Sequence, residues 1–265
     1  MLPKAAIQLA IIPLFLAAGF LCVKEASSKT PVETNSLAKS ETPLSYNGRI
    51  AASAAQELAQ QKKYAEALIQ AENAVRFDPK SGTTHLVKAY VLDMLGETKK
   101  AHTAFGKAIS LSPGSGYIRY AYANHLCDLK NFTDADENYL LAANDENYPF
   151  TYKAYESAAE CAYKAEKLDV SEAHARSALA IAPESIGALA VMAQIMHRQS
   201  RSLEARAFIQ RREDAGSLDI PLLQLAQQIE KSAGNDRAAA QYKKQLDIML
   251  QAQIQPPTGE GQKKP

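Results

Sequence analysis

The sequence has no tryptophan, only three cysteines and no long run of charges of one sign. Its 30 basic residues nearly balance its 29 acidic residues, which leaves a formal net charge of +1. Proteins that bind nucleic-acid phosphates concentrate basic residues on one face. The charge pattern therefore gives no reason to expect a nucleic-acid partner.

The sequence also has no pattern typical of a catalytic or metal site. Its five histidines are scattered, without His-Glu-x-x-His or a similar ligand spacing. The glycine-rich stretch 114–116 follows Pro113 between two predicted helices, so it is a turn rather than a phosphate-binding loop. We therefore expect a protein without enzymatic activity, cofactor or metal.

Residues 82–115 form a 34-residue unit that sets the pattern for the chain. Small or apolar residues and a final proline stand at positions 8, 15, 20, 24, 27 and 32: Ala89, Gly96, Ala101, Phe105, Ala108 and Pro113. Alanines at positions 8 and 20 let two helices approach closely, and the proline ends the second helix. This is the pattern of a tetratricopeptide repeat.

The same spacing recurs along the chain, with alanine at position 8 of six units: Ala55, Ala89, Ala123, Ala159, Ala193 and Ala226. In the third unit Pro149 comes two residues late, which indicates a two-residue insertion. The pattern predicts an all-α fold, a right-handed superhelical solenoid of about six repeats. We place the repeats near 48–81, 82–115, 116–151, 152–185, 186–218 and 219–250, the last two being degenerate.

Residues 1–23 have the composition of a secretory signal or a membrane anchor. Lys4 precedes an apolar run that extends to Val23, which predicts export from the cytoplasm. Cys22 near the end of this run suggests lipidation. Leu21 occupies the preceding position, where lipoproteins usually carry a small residue. An outer-membrane lipoprotein, an inner-membrane anchored protein and a free periplasmic protein are all compatible with this segment.

Two further segments lack the apolar residues that a core requires. Residues 24–47 are rich in serine, threonine, lysine and glutamate, and we predict a flexible polar linker there. Residues 251–265 contain two adjacent prolines and two glycines, and we predict a disordered tail. We expect the solenoid between them to be a monomer.

Cys127 and Cys161 fall in the first helices of the third and fourth repeats. Thiols in adjacent elements of an exported protein tend to pair, so we predict a disulfide. The alternative is that both cysteines are small buried apolar residues.

A solenoid of this kind binds partners through the concave face, which is lined by the first helix of each repeat. Tyrosines with scattered amides and charges on that face are typical of a groove that binds a peptide or a helix. The alternative for each tyrosine is that it only covers a seam between repeats. The predicted groove residues are Leu86, Tyr90, Met94, Tyr117, Tyr120, Asn124, Asp128, Glu160, Tyr163, Lys164 and His197.

The third and fourth repeats carry a more specific pattern. It includes the stretch 121–127 (Ala-Tyr-Ala-Asn-His-Leu-Cys), Tyr148-Pro149, and the stretch 157–162 (Ser-Ala-Ala-Glu-Cys-Ala). Behind an exported N-terminus, these stretches resemble the PilF/PilW family of type IV pilus biogenesis and stability proteins. Tyr122, Leu126 and Cys127 match the family pattern, as do Tyr148, Pro149 and Cys161. Ala121 and Ser157 are among the positions that depart from it.

The resemblance implies the role of a pilotin. Such a periplasm-facing lipoprotein binds the subunit of the outer-membrane secretin and promotes its localisation and multimerisation. The repeats alone would equally suit another periplasmic adaptor, for example in cytochrome c maturation or outer-membrane protein assembly.

Overall fold

The computed structural model describes residues 43–254, and this range contains helices and turns but no strand. The predictions for residues 1–23, for Cys22 and for most of 24–47 and 251–265 lie outside the described residues. The helices are α1 (Tyr46–Gln60), α2 (Tyr64–Phe77), α3 (Gly82–Met94), α4 (Thr98–Leu111), α5 (Gly116–Asp128), α6 (Phe132–Ala143), α7 (Thr151–Lys164), α8 (Leu168–Ile181), α9 (Ile186–Arg198), α10 (Ser202–Ala215), α11 (Ile220–Ser232) and α12 (Asp236–Ile254).

These helices form six antiparallel pairs, α1 with α2 through α11 with α12. Each odd-numbered helix also contacts the next odd-numbered helix, whereas an even-numbered helix mainly contacts the odd-numbered helices on either side of it. The more closely spaced row lies on the inside of a curved stack. The odd-numbered helices therefore form the inner face, and the all-α tetratricopeptide solenoid predicted from the sequence is confirmed.

The alanines at position 8 lie where paired helices come closest. Ala55, Ala89, Ala123, Ala159 and Ala193 have no exposed surface, and Ala226 has 1%. A larger side chain at any of these positions would separate the helices, so the alanine repeat follows from packing.

The turn between the two helices of each repeat adopts a left-handed backbone conformation at one equivalent position. Glycine fills this position in the second and sixth repeats, at Gly96 (φ 76°) and Gly234 (φ 71°). The other four repeats use non-glycine residues with φ near 60°: Lys62, Lys130, Glu166 and Ser200. The stacking of the helices thus imposes the left-handed conformation even on residues with a side chain, for which this conformation is energetically unfavourable.

Two helix ends differ from the predicted boundaries. Helix α1 begins at Tyr46, before the predicted repeat start at 48, because Ser45 caps it by accepting the Gly48 N–H at 3.1 Å. The Asp78 carboxylate, which lies in the turn after α2, accepts hydrogen bonds from the backbone N–H and from the hydroxyl of Ser45. Helix α12 continues to Ile254, past the predicted end of the solenoid at 250. Between residues 43 and 254 no helix is both long and apolar enough to cross a membrane.

Candidate functional site: a polar hollow between repeats three and four

Helices α5 and α7 enclose a small depression on the inner face, which we call the polar hollow. Side chains from α5, α6 and α7 line it together with the two cysteines: Tyr120, Asn124, Asp128, Tyr139, Lys153, Ser157, Glu160, Lys164, Cys127 and Cys161. Five of these residues are predicted groove residues. The structure therefore brings together much of the groove proposed from the sequence, within two neighbouring repeats.

Helical spacing explains why these side chains meet. On α5, Tyr120, Asn124 and Asp128 recur every four residues, so they occupy one face of the helix. On α7, Lys153 and Ser157 are likewise four residues apart, and Glu160 and Lys164 continue the same face. Since the two helices are neighbours in the inner row, these faces form opposite walls.

Hydrogen bonds fix the tyrosines of the hollow. The buried Tyr139 hydroxyl donates to Asn124 Oδ1 at 2.7 Å, and Tyr120 Oη lies 3.0 Å from Ser157 Oγ. Burial raises the pKa of Tyr139 well above its ordinary value, so this phenol stays protonated and remains a donor. The Tyr120–Ser157 contact joins the walls, while the Tyr139–Asn124 contact holds α5 against its own partner helix.

A disulfide also joins the walls. Cys127 on α5 and Cys161 on α7 are bonded, and their Cα atoms lie 5.9 Å apart. Both cysteines are buried, and Ala123, Ala158 and Tyr139 belong to the same apolar cluster. The bond closes a loop with a sequence separation of 34 residues, so it restricts the relative movement of the third and fourth repeats.

Charged groups at one end of the hollow are partly removed from water. Burial raises the pKa of Glu160, and the negative charge of Glu156 adds to this effect, whereas Lys153 and Lys164 oppose it. The buried Glu156 carboxylate accepts hydrogen bonds from Lys153 and from the Ser185 hydroxyl. Burial is the largest influence on Lys153 and would lower its pKa, but the hydrogen bond to Glu156 and the negative charges of Glu156 and Glu160 together raise the pKa. A partner at the mouth of the hollow would thus meet both the Lys153 ammonium, which Glu156 holds, and the Glu160 carboxyl group, whose pKa is raised.

An aromatic cluster borders the hollow. Tyr148 is buried, and its ring lies 5.0 Å from Tyr117, 5.8 Å from Tyr120 and 5.9 Å from Phe150, measured between ring centroids. Tyr148 and Phe150 come from the turn that carries the two-residue insertion. The turn that carries the insertion therefore supplies a buried tyrosine that packs against Tyr120, a lining residue of the hollow.

Leu86 is a correction to the predicted groove. Its side chain has no exposed surface and belongs to the apolar core with Phe105 and Ile118. It stands at position 5 of its repeat, where Tyr120 stands in the third. A tyrosine is long enough to bring its hydroxyl to the surface from this position, whereas a leucine ends inside the core.

The other predicted groove residues lie on the inner row but outside the hollow. Tyr90 and Met94 are half-buried on α3, and His197 is half-buried on α9. The Arg198 guanidinium stacks over the Tyr163 ring at 5.4 Å, which links α7 to α9. Tyr117 is half-buried in the aromatic cluster, and its hydroxyl is buried without a hydrogen-bond partner among the described residues.

Three residues of the hollow were missed in the sequence. Lys153 stands at position 2 of the fourth repeat, which the predicted groove residue Tyr117 occupies in the third repeat, so the register alone could have identified it. Ser157 stood out only as a departure from the family pattern. Tyr139 lies on α6, the second helix of its repeat, and reaches the hollow between the inner helices. The expectation that only first helices line the groove could not predict it. Among the described residues, no group of three or more histidine, cysteine or acidic side chains is arranged to hold a metal.

No family model matches the chain. An uncharacterized protein of Haemophilus influenzae is 26% identical over 149 residues, which is 56% of this chain and 76% of that protein. This similarity gives no function by itself.

Two solved structures are more informative. PilW, described as a widely conserved type IV pilus biogenesis factor, superposes with a TM-score of 0.70 at 26% identity, covering 82% of this chain and 96% of that one. The PilF structure from Pseudomonas aeruginosa also gives a TM-score of 0.70, at 19% identity, covering 78% of this chain and 94% of that one. The second similarity shows the fold, and the first adds a moderate level of sequence identity over nearly the whole of PilW.

Proposed function

We propose that this chain, a tetratricopeptide-repeat protein of the PilF/PilW type, acts as a non-enzymatic scaffold in the assembly of type IV pili. The similarity to PilW, a pilus biogenesis factor, supports this general role. The finer part of the proposal is that the chain acts as a pilotin. It binds the subunit of the pilus secretin and promotes its localisation and multimerisation.

The polar hollow is the observation that carries the binding part of the proposal. Its walls combine tyrosine rings, hydroxyl groups and charges of both signs on two helices that a disulfide holds together. A preformed, rigid surface of this kind loses little conformational entropy when it binds a segment of a partner protein. Aromatic side chains provide contact area, and the polar groups fix the register of the partner.

We further propose that residues 1–23 direct export and attach the scaffold to the envelope, with Cys22 as the site of lipidation. The predicted linker, which can extend no further than the start of α1 at Tyr46, would then allow the hollow to reach a partner away from the membrane. Labelling cells with a fatty-acid analogue tests this part separately. Label on the wild-type chain that is lost in a Cys22→Ser variant supports the lipoprotein, and an unlabelled wild-type chain contradicts it.

Capture of the secretin subunit from an envelope extract tests the binding proposal. A Tyr120→Ala, Tyr163→Ala double variant is expected to fold normally, as measured by circular dichroism, and to lose the secretin. Tyr155→Ala is the matched control, because Tyr155 lies on α7 but faces His174 of α8, with ring centroids 6.2 Å apart. The control is expected to capture as much secretin as the wild-type chain.

A second variant changes the rim without touching the packing. Lys164 is exposed at the hollow, so Lys164→Glu reverses a charge there at little cost to folding. Full secretin capture by both the well-folded double variant and Lys164→Glu would contradict binding at the hollow. Capture of a haem lyase or a barrel-assembly component in place of the secretin would contradict the pilotin role itself.

A further inference from the structure

A second depression lies between helices α2, α3 and α4, and we call it the basic cleft. Each helix presents one face to it, since the lining residues, apart from the adjacent Thr103 and Ala104, are three, four or seven positions apart along their helices. The lining residues are Leu68 and Glu72 of α2, His85, Lys88 and Leu92 of α3, and Lys100, Thr103, Ala104 and Lys107 of α4. The cleft is separate from the polar hollow and shares no residue with it.

The base of the basic cleft is apolar and its rim is charged. Leu92 and Ala104 are 3% and 8% exposed, and Leu68 is half-buried beside them. Lys100 and Lys107 are exposed on α4, on the side opposite Lys88. A segment that enters between the lysines would therefore contact apolar surface at the base.

Lysines outnumber carboxylates at the rim of the basic cleft. Glu72 lies 3.0 Å from Lys88, and Glu97 at the start of α4 lies 3.1 Å from Lys100. Glu72 is the only carboxylate among the residues that line the cleft, against three lysines. The pKa of His85 is lowered mainly by burial, and the charges of Lys107 and Lys88 lower it further, while a hydrogen bond to the Pro79 carbonyl opposes the change. The charges of Lys88 and Lys107 thus act on a side chain that lines the cleft.

The repeat architecture does not require these lysines. The residues 34 positions later, which occupy the same places in the third repeat, are Tyr122, Asp134 and Leu141 in place of Lys88, Lys100 and Lys107. Leu92 and its counterpart Leu126 are both buried leucines. The buried leucine of the base therefore recurs in the third repeat, whereas the basic rim does not.

We infer that the basic cleft binds an acidic segment of a partner protein, with an apolar side chain of that segment between its carboxylates. Carboxylates would pair with the lysines of the rim while the apolar side chain contacts Leu68, Leu92 and Ala104. Lipid headgroups at a flat membrane surface would reach the rim but not the base. The segments of this chain on either side of the solenoid are poor occupants, because residues 24–42 contain three lysines and three glutamates and residues 255–265 contain two lysines and one glutamate.

Fluorescence anisotropy on the full chain in mild detergent tests this inference. The probe is a short labelled peptide in which glutamates flank a leucine. A Lys88→Gln, Lys100→Gln, Lys107→Gln variant is expected to bind this peptide about tenfold more weakly than the wild-type chain, since each exposed ion pair contributes modestly. Replacing the leucine of the peptide by serine is expected to weaken binding to the wild-type chain as well.

A matched variant separates the cleft from the overall charge. Lys167, Lys231 and Lys244 are exposed lysines elsewhere on the solenoid, so changing all three to glutamine removes the same charge without altering the cleft. This control is expected to bind the peptide as the wild-type chain does. Thr103→Glu, which adds a negative charge to an exposed position in the cleft, is expected to weaken binding with an unchanged circular dichroism spectrum.

Three results would overturn the inference. Equal losses in both triple variants would show attraction by overall charge. Unchanged binding by the cleft variant would place the peptide elsewhere. Loss of binding to phosphatidylglycerol vesicles in the cleft variant, with peptide binding intact, would make the cleft a membrane contact.

Discussion

The side chains buried at the seam between repeats three and four differ in kind from those buried in the core of repeats five and six. In the later repeats the core is aliphatic, with Met192, Ile195 and Met196 buried completely. At the earlier seam the buried groups include Tyr139, Tyr148 and a disulfide. Aliphatic packing suffices to stack helices, so the buried tyrosines and the disulfide of the earlier seam are more than stacking alone requires.

Breaking the disulfide should have the largest effect on this comparison. Cys161→Ser opens a loop with a sequence separation of 34 residues, for which chain entropy predicts a loss of about 3 to 4 kcal/mol in the free energy of unfolding. Urea denaturation measures this loss. Adding a reductant should destabilise the wild-type chain to a similar extent and leave the variant unchanged. A wild-type chain insensitive to reductant would contradict the prediction.

Overpacking at position 8 should affect both regions alike. Ala159→Leu in the fourth repeat and Ala193→Leu in the fifth each add volume where no space is left, at an expected cost of about 1 to 3 kcal/mol. Thermal or urea unfolding of both variants checks this. A cost confined to Ala159→Leu would mean that only the third and fourth repeats are tightly packed.

The close packing of these alanines could be predicted from the sequence, because the period of the repeat and the position within it are enough to define the contact between paired helices. It also predicted Cys127 with Cys161, which the structure joins, and five groove residues that now line one hollow. It did not predict the links of Glu156 to Ser185 or of Tyr120 to Ser157. Those contacts depend on how neighbouring repeats are offset. The failure at Leu86 has a related cause, since whether a position-5 side chain reaches the surface depends on its length.

Removing a single hydroxyl from the polar seam should have a smaller effect. Tyr139→Phe leaves Asn124 Oδ1 without its 2.7 Å hydrogen bond, at an expected cost of about 1 to 2 kcal/mol. A double-mutant cycle with Asn124→Ala isolates the coupling between the two side chains. Additive losses in the cycle would show that the bond contributes nothing beyond packing.

The smallest expected effect concerns pH. Because the pKa of Glu160 is raised by burial and by Glu156, the folded chain binds this proton more tightly than the unfolded chain does. The free energy of unfolding should therefore fall as pH rises from the ordinary glutamate pKa through the raised one. Glu160→Gln removes this dependence, so the variant should gain stability relative to the wild-type chain above that window.

Urea melts at about pH 4 and about pH 8 provide the comparison. Glu184→Gln, at an exposed glutamate in the turn after α8, is the control. A stability difference between Glu160→Gln and the wild-type chain that is the same at both pH values would contradict the raised pKa.

The disulfide also determines how the solenoid responds to a pulling force. Each repeat contacts only its neighbours, so tension applied at the ends should unravel repeats one after another. The residues between Cys127 and Cys161 lie inside the closed loop, and their contour length of about 110 Å stays hidden from the applied force until the bond is reduced. Under load, the two walls of the polar hollow would remain together while the outer repeats extend.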